Sequence, residues 1–424
     1  MRPPPSKPPV LGLLDIGTSK IACLMVSRIP DARSGRDTYT VIGFGHQKSR
    51  GLKAGVIVDA EAVEDAVRAT VAQAEHMAGV TLEDVILSAA CGRLHSTHIA
   101  GNLQLDAETG RGRSVDARDI ERLVEAGRAH IEGDDRAVLN ANAIGCRVDD
   151  RYVSGLAIGA TGRKVSLDVH VVSADRAPVR HMLHAAERCQ LRVIAIAAGP
   201  LAGALAVSTI EERQLGIAVV ELGAGTTGLT VFAHGNLVCA HVFPIGSNHL
   251  VFDLMRALNI GITEAERIKK NYAIQSLAHP PSDETVLFQP RGDDHAKTTA
   301  VQTKQVTRAT ISDILTKRLS SLFGMVRQRL DQFAGAPVDG STVILTGGGS
   351  LLSGLPGIAT SSLGRHVRVG APLAHTILPH ALLHPAFATI AGLEIIARDP
   401  NSGLRLENLN ATVATGAPML RRSF

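Results

Sequence analysis

The sequence predicts an α/β chain in which two glycine turns facing each other clamp a phosphate-bearing ligand, and three glycine turns carry that prediction. The first lies in Leu13-Leu14-Asp15-Ile16-Gly17-Thr18-Ser19-Lys20-Ile21-Ala22, and the second in Val219-Val220-Glu221-Leu222-Gly223-Ala224-Gly225-Thr226-Thr227-Gly228-Leu229-Thr230. Each reads as an apolar strand, an acidic residue, a Gly/Thr turn and a second apolar strand. Such a turn gathers backbone N–H groups into a concavity that suits phosphate, and glycine lets the backbone approach closely. The acidic residue of each, Asp15 and Glu221, is placed to hold Mg2+ through waters, because that ion keeps much of its hydration. The third turn is Val343-Ile344-Leu345-Thr346-Gly347-Gly348-Gly349-Ser350, a strand running into bare backbone that can lie against an adenine or ribose. One such hairpin alone is ordinary; a duplicated one followed by a triple glycine is a pattern. No Walker-type Gly-Lys-Ser/Thr loop competes with it.

At 424 residues the chain exceeds one compact core, so two or more domains are expected. Hydrophobic content of 45% and charged content of 20% describe a globular protein. With no Trp and 3% aromatics, the cores must be filled by Val, Ile, Leu and Ala, and base-stacking platforms for nucleic acid are disfavoured. A net charge of +4 names no partner. Cys23, Cys91, Cys146, Cys189 and Cys239 are scattered without a C-x-x-C pair and read as reduced, mostly buried thiols of a cytosolic protein. No segment approaches a membrane span and the N-terminus lacks a signal-like apolar run.

After a proline-rich lead over 1–9, strands are expected near 10–16, 20–28 and 39–45. Asp59 can cap a helix over 61–78 whose apolar stripe is Val63, Ala66, Val67, Thr70, Val71 and Ala74. Val85 begins another strand. A stretch over 85–172 has its own rhythm, with a helix from Arg118 to His130 and a final strand through Asp168-Val169-His170-Val171-Val172. Then come a helix near 176–189, a strand at 192–196, a helix from Leu201 to Glu212 and the second hairpin. The region 250–273 reads as helical, 279–298 as a loop or weak hairpin, and 305–332 as a long helix. The triple glycine leads into a helix start. A strand at 366–369 and a helix near 384–397 complete the order.

Two phosphate hairpins and an adenosine-type glycine turn, in this order, resemble the actin/Hsp70/sugar-kinase superfamily. The likeness narrows to the bacterial cell-division actin homologues, the FtsA family, over roughly residues 10–400. Asp15-Ile16-Gly17-Thr18-Ser19-Lys20 resembles that family's first phosphate motif, Ser49-Arg50-Gly51-Leu52-Lys53 and Asp59 a segment before its first long helix, and Gly246-Ser247-Asn248-His249 its turn after the second hairpin. Asp116-Ala117-Arg118-Asp119-Ile120 with the strand from Asp168 is similar to its subdomain 1C, which actin, Hsp70 and sugar kinases lack at this place. Val306, Arg308, Ile311, Ile314, Leu315 and Arg318 fit its subdomain 2B helix.

The resemblance implies an actin-like two-lobed fold with an inserted 1C-type subdomain. Subdomain 1A would take 10–84, 173–203 and 381–400; 1C, 85–172; 2A, 204–243 and 337–380; 2B, 244–336; and 401–424 would be linker and tail. It implies ATP with Mg2+ in the cleft, self-assembly into filaments, and tethering of the tubulin-like FtsZ through its C-terminal peptide. It further implies recruitment of other division proteins through 1C, at the cytoplasmic face of the inner membrane at the division site. Gly17, Thr18 and Ser19 would hold the β-phosphate side, Lys20 would reach a phosphate or point to water, and Gly223, Gly225, Thr226 and Thr227 would hold the γ-phosphate side. Gly347, Gly348 and Gly349 would bracket the adenosine, with Glu266 and Lys269 on the nucleoside. On spacing alone that Glu–Lys pair also reads as a solvated helix face. Arg308 and Arg318 are the candidates to meet acidic groups of the FtsZ peptide.

The chain departs from the family at several points. Glu221 stands where relatives usually carry Asp, which shifts the carboxylate that would serve the metal or an attacking water. Gly199 precedes Pro200 where several polymerising homologues carry Glu, so ATP hydrolysis is expected to be slow or absent, since phosphoryl transfer depends on positioning. Gly228 replaces a polar residue. The end of the chain is short: Met419, Leu420 and Phe424 group across about one and a half turns, and Arg421 and Arg422 would attract anionic lipid at about 1 kcal/mol each. Competing readings are a small-molecule kinase, for which no general-base Asp stands out, and a pilus-assembly membrane-platform adaptor of similar architecture.

Overall fold

The computed structural model describes residues 9–30, 37–105, 112–133, 135–153, 155–272, 284–291, 303–333, 342–373 and 378–398. The first sheet grows from β1 (Val10–Ile16), β2 (Lys20–Pro30) and β3 (Asp37–Lys48), an antiparallel meander followed by a small hairpin of β4 (Leu52–Lys53) and β5 (Val56–Ile57). Asp59 caps α1 (Ala60–Ala78) by accepting from the Ala62 amide. Its stripe of Val63, Val67, Thr70, Val71 and Ala74 is buried, and Gly43 and Gly45 let β3 press against the helix backbone. β6 (Asp84–Ala89) returns parallel to β1. The boundary expected at residue 85 therefore moves: Val85–Ala89 is an interior strand of the first lobe, because its partner β1 lies there.

The insertion runs from β7 (His95–Gln104) through a short β8 (Arg113–Ser114), α2 (Ala117–Glu132), β9 (Arg136–Val148), β10 (Arg151–Val153) and β11 (Thr161–Gly162) to β12 (Lys164–Asp175). Asp116 and Asp119 close a capping box at the start of α2. That helix packs Ile120, Leu123 and Val124 against Val165, Leu167, Val169 and Val171 in a separate core.

The chain re-enters the first lobe through α3 (Arg176–Glu187) and β13 (Arg192–Ala198), which completes the five-stranded sheet β13-β6-β1-β2-β3. The helix expected from Leu201 to Glu212 is two helices, α4 (Gly199–Val207) and α5 (Ile210–Leu215). Ser208 turns its hydroxyl back to the Ala204 carbonyl, and Thr209 opens a new capping box with Glu212.

The second lobe repeats the first. β14 (Ile217–Leu222), β15 (Thr227–Ala233) and β16 (Asn236–Phe243) form a meander. After α6 (Asn248–Leu258), α7 (Ile262–Asn271), the hairpin β17 (Thr285–Phe288) with β18 (Lys304–Thr307) and the long α8 (Arg308–Leu330), β19 (Val343–Thr346) lies parallel to β14. α9 (Leu355–Leu363) and β20 (Val367–Val369) follow. The single helix expected over 250–273 breaks because Asn259 takes a left-handed φ of 52° at the end of α6. The triple glycine enters a 3-10 turn, Gly348–Leu351, before α9. Much of 279–298 lies outside the described residues, though Thr285–Phe288 is strand.

The larger sheet has the order β10-β9-β12-β7-β16-β15-β14-β19-β20, so the insertion continues the second lobe's sheet at a seam of one residue pair, His95 with His241. Alternate residues of β14 serve two cores. Ile217 and Val219 face the core shared with the first lobe, while Ala218, Val220 and Leu222 face α6, α8 and α9. The last helix among the described residues, α10 (Ala388–Arg398), follows a 3-10 turn at Pro385–Phe387. It crosses α4 so closely that a side-chain carbon on Gly392 would overlap the Ala202 carbonyl.

Candidate functional site

The two hairpins are the same object built twice. Asp15 pairs with Ala22 and Ile16 with Ile21 in the first; Glu221 pairs with Gly228 and Leu222 with Thr227 in the second. In each turn a glycine amide donates across it, Gly17 to the Lys20 carbonyl at 3.0 Å and Gly223 to the Thr226 carbonyl at 2.9 Å. A Cβ on either glycine would sit 2.9 Å from that carbonyl, which is why the position tolerates no side chain. The tips meet: a Cβ on Gly225 would fall 2.5 Å from Thr18 Oγ1.

Between them lies a cleft of about 860 Å3 lined by Asp15, Gly17, Thr18, Ser19 and Lys20 from one side and Glu221, Gly223 and Thr226 from the other. Gly347, Gly348, Gly349, Glu266 and Lys269 also line it. Thr227 and Gly225 take other places. Thr227 is fully buried and donates its hydroxyl to the Ile245 carbonyl at 2.7 Å, and Gly225 is buried under Thr18. Of the three glycines, Gly347 and Gly349 are needed for packing, since a Cβ there would strike the Leu222 carbonyl at 2.6 Å and the Leu222 side chain at 2.5 Å. Gly348 is exposed, and a Cβ there would make an ordinary contact with the Ala386 Cβ at 3.8 Å. Glu266 and Lys269 pair with each other at 2.9 Å on the cleft wall rather than facing away from it.

The floor of the cleft is charged. Asp15 Oδ1 accepts from Ser88 Oγ at 2.5 Å. Glu221 Oε1 accepts from Thr389 Oγ1 at 2.5 Å. The Lys20 ammonium donates to the Ala386 carbonyl and lies 4.2 Å from the Phe387 ring centroid. Burial pushes Lys20 below its usual range, opposed by Asp15 and Glu221. Burial also pushes the Glu221 carboxyl up to about 7, with Asp15 adding to the rise and Thr389 and Lys20 opposing it. Two carboxylates beside one ammonium can take a hydrated cation, and the hairpins flank a space suited to a polyphosphate. Gly199 lies in the cleft, and Gly228 is bare because a Cβ there would meet Pro200 at 2.8 Å.

Sequence reasoning missed Ser88, Thr389 and the Ala386–Phe387 turn. They come from β6, from the 3-10 turn Pro385–Phe387 and from the start of α10, distant in sequence and carrying no local motif.

Away from the cleft, Arg318 on α8 is bound through two hydrogen bonds, 2.6 and 2.8 Å, by Asp253 on α6. Arg308 pairs with Glu284 at 2.9 Å. Met419, Leu420, Arg421, Arg422 and Phe424 lie outside the described residues. Among the described residues no helix is long and apolar enough to cross a membrane.

Comparison with known proteins follows the same lines. The family model described as "Cell division protein FtsA" matches residues 218–392. A cell division protein FtsA of Rhizobium meliloti (strain 1021) is 35% identical over 401 residues, covering 93% of this chain and 89% of that protein. The FtsA of Escherichia coli (strain K12) is 27% identical over 389 residues, covering 90% and 88%. Among solved structures, a PilM-PilN type IV pilus biogenesis complex chain superposes with TM-score 0.60 at 18% identity, covering 94% of this chain and all of that one. MreB5 of Spiroplasma citri bound to ADP superposes with TM-score 0.54 at 14% identity, covering 92% and 98%. At these identities the structural likenesses speak for the actin-like fold.

Proposed function

The chain belongs to the FtsA family of cell division proteins, and from that premise we propose that it binds ATP with Mg2+ between its two hairpins, assembles on the cytoplasmic face of the membrane at the division site, and tethers FtsZ there. The cell-division role follows from the family. The single observation that carries the nucleotide reading is the duplicated hairpin, with both turns lining one cleft together with the Gly347–Gly349 turn. Gly17, Thr18, Ser19 and Lys20 would meet one end of the phosphate chain, and Gly223 and Thr226 the other. Glu266, Lys269 and exposed Gly348 would meet the nucleoside. Asp15 and Glu221 would hold Mg2+ through waters, and the ion would neutralise phosphate charge. Gly199 offers no side chain to orient a water, so turnover would be slow or absent and ATP would act as an assembly signal.

The membrane contact is proposed for Met419, Leu420 and Phe424 with Arg421 and Arg422. Three apolar side chains anchor a monomer weakly, and a filament would hold through many such contacts. The FtsZ peptide would meet the 2B region around Arg308 and Arg318, and 1C would receive other division proteins. The test is pelleting of the purified protein with anionic liposomes, with and without Mg-ATP, beside a variant lacking 418–424. ATP-dependent co-pelleting lost on truncation is expected. Nucleotide binding without co-pelleting would overturn the membrane part.

A further inference from the structure

The two acidic residues of the duplicated hairpins end in different places. The parallel neighbour of β1 sets Ser88 beside Asp15, and the parallel neighbour of β14 sets Thr346 beside Glu221. In the first lobe the short carboxylate takes the hydroxyl on that neighbouring strand, Ser88 Oγ to Asp15 Oδ1 at 2.5 Å. In the second lobe Thr346 is fully buried, and its Oγ1 has no hydrogen-bond partner among the described residues. The longer Glu221 passes it by and accepts from Thr389 on α10 instead. Its other oxygen, Oε2, occupies the space over Gly203 of α4, where a Cβ would come to 2.9 Å. Gly203 follows Ala202, whose carbonyl abuts Gly392, and Thr389 lies on the Gly392 face of α10 at i−3. Glu221 is thus seated at the α4–α10 crossing.

We propose that Thr389 is a positioning residue which, with the bare Gly203, holds the Glu221 carboxylate in a socket at the α4–α10 crossing, from which a Mg2+-bound nucleotide must draw it. The nucleotide part rests on the reading of the cleft given above. An Asp at 221 would be shorter by one C–C bond, ~1.5 Å, which opens the contact to Thr389 beyond hydrogen-bond reach and returns the carboxylate to Thr346, as Asp15 is returned to Ser88. The longer side chain at 221 therefore ties the cleft carboxylate to the helix crossing.

Two experiments on the full chain test this. Thermal unfolding of ligand-free Thr389→Val, Glu221→Asp and the double variant forms a cycle. The double variant is expected to be no less stable than Glu221→Asp alone, and Thr346→Val to destabilise only the Glu221→Asp background. Additive losses would overturn the socket. In the second experiment ATP affinity is measured with and without Mg2+. Thr389→Val is expected to raise the Mg2+-dependent gain several-fold, with Thr389→Ser behaving as wild type. An unchanged gain, or an equal change with and without Mg2+, would overturn the positioning role. A wild-type protein that binds no nucleotide in either condition would overturn the reading of the cleft and the nucleotide half of the proposal, and the ligand-free cycle would still decide the socket.

Discussion

Thr18 of the first hairpin packs on Gly225 of the second, so closely that a single Cβ on Gly225 would stand 2.5 Å from the Thr18 hydroxyl and 2.9 Å from its methyl. The two lobes touch at their glycine turns because residue 225 has no side chain. Gly225→Ala forces these tips apart. Overpacking of this kind costs about 1–3 kcal/mol, and the separated turns should bind ATP roughly tenfold more weakly, an effect equal to about 1.4 kcal/mol. Adding Thr18→Gly, which empties the facing space, is expected to restore thermal stability. Calorimetric unfolding and ATP titration of the single and double variants measure both.

Glu221 makes stability depend on pH in a direction opposite to an ordinary salt-bridged carboxylate. Its folded pKa of about 7 lies above the unfolded value of 4.5. Between those values the native protein holds a proton that the unfolded chain has released, so stability falls as pH rises through this window and levels off above it. Glu221→Gln keeps a hydrogen-bonding group without the titration. The expected outcome is that melting temperatures of wild type and Glu221→Gln diverge between pH 5 and pH 7.5, with wild type losing more. Parallel curves would show that the carboxyl is ionised throughout.

The hairpins were legible because they are local: strand, acid, glycine and strand lie within a dozen residues, and each turn closes on its own Lys20 or Thr226 carbonyl. The caps at Asp59 and Asp116 were legible for the same reason. Thr389 was not, because its partner Glu221 is reached only after α10 folds back across α4. The helix break at Asn259 depends on a left-handed backbone that the apolar periodicity on either side does not report. The resemblance implies Thr227 as a phosphate ligand beside Thr226, but the period-two alternation of β15 turns it into the core, where Ile245 takes its hydroxyl.

Among the described glycines, Gly392 at the α4–α10 crossing has the least room for a side chain. Gly392 has no room for a Cβ against the Ala202 backbone, and a carbonyl cannot rotate aside as a side chain can. Gly392→Ala must separate two buried helices in the core shared by the lobes. A loss of about 3 kcal/mol or more is expected, read as a lower unfolding midpoint and poor soluble yield. Gly324, where a Cβ meets nothing within 4 Å on α8, is the control, and Gly324→Ala should leave stability the same or raise it by up to about 1 kcal/mol.

Arg318 and Arg308 were singled out as candidates for an acidic peptide, and their surroundings make them unequal. Arg318 is gripped at two points by Asp253, an ion pair that links α8 to α6 with about a third of the arginine side chain exposed. Its charge is largely spent within the lobe. Arg308 stands at the start of α8 beside a Glu284 that is half exposed, so an incoming carboxylate can exchange with that partner. Arg308→Glu is therefore expected to weaken an FtsZ C-terminal peptide by several-fold, without loss of stability beyond about 1 kcal/mol. Arg318→Glu would set two carboxylates face to face and destabilise the lobe, which would confuse any binding result. The exchanged pair Arg318→Asp with Asp253→Arg keeps the link and is expected to bind the peptide nearly as wild type does. Fluorescence anisotropy with labelled peptide, beside unfolding curves for each variant, decides between them. Normal binding by Arg308→Glu would remove this helix end from the peptide site.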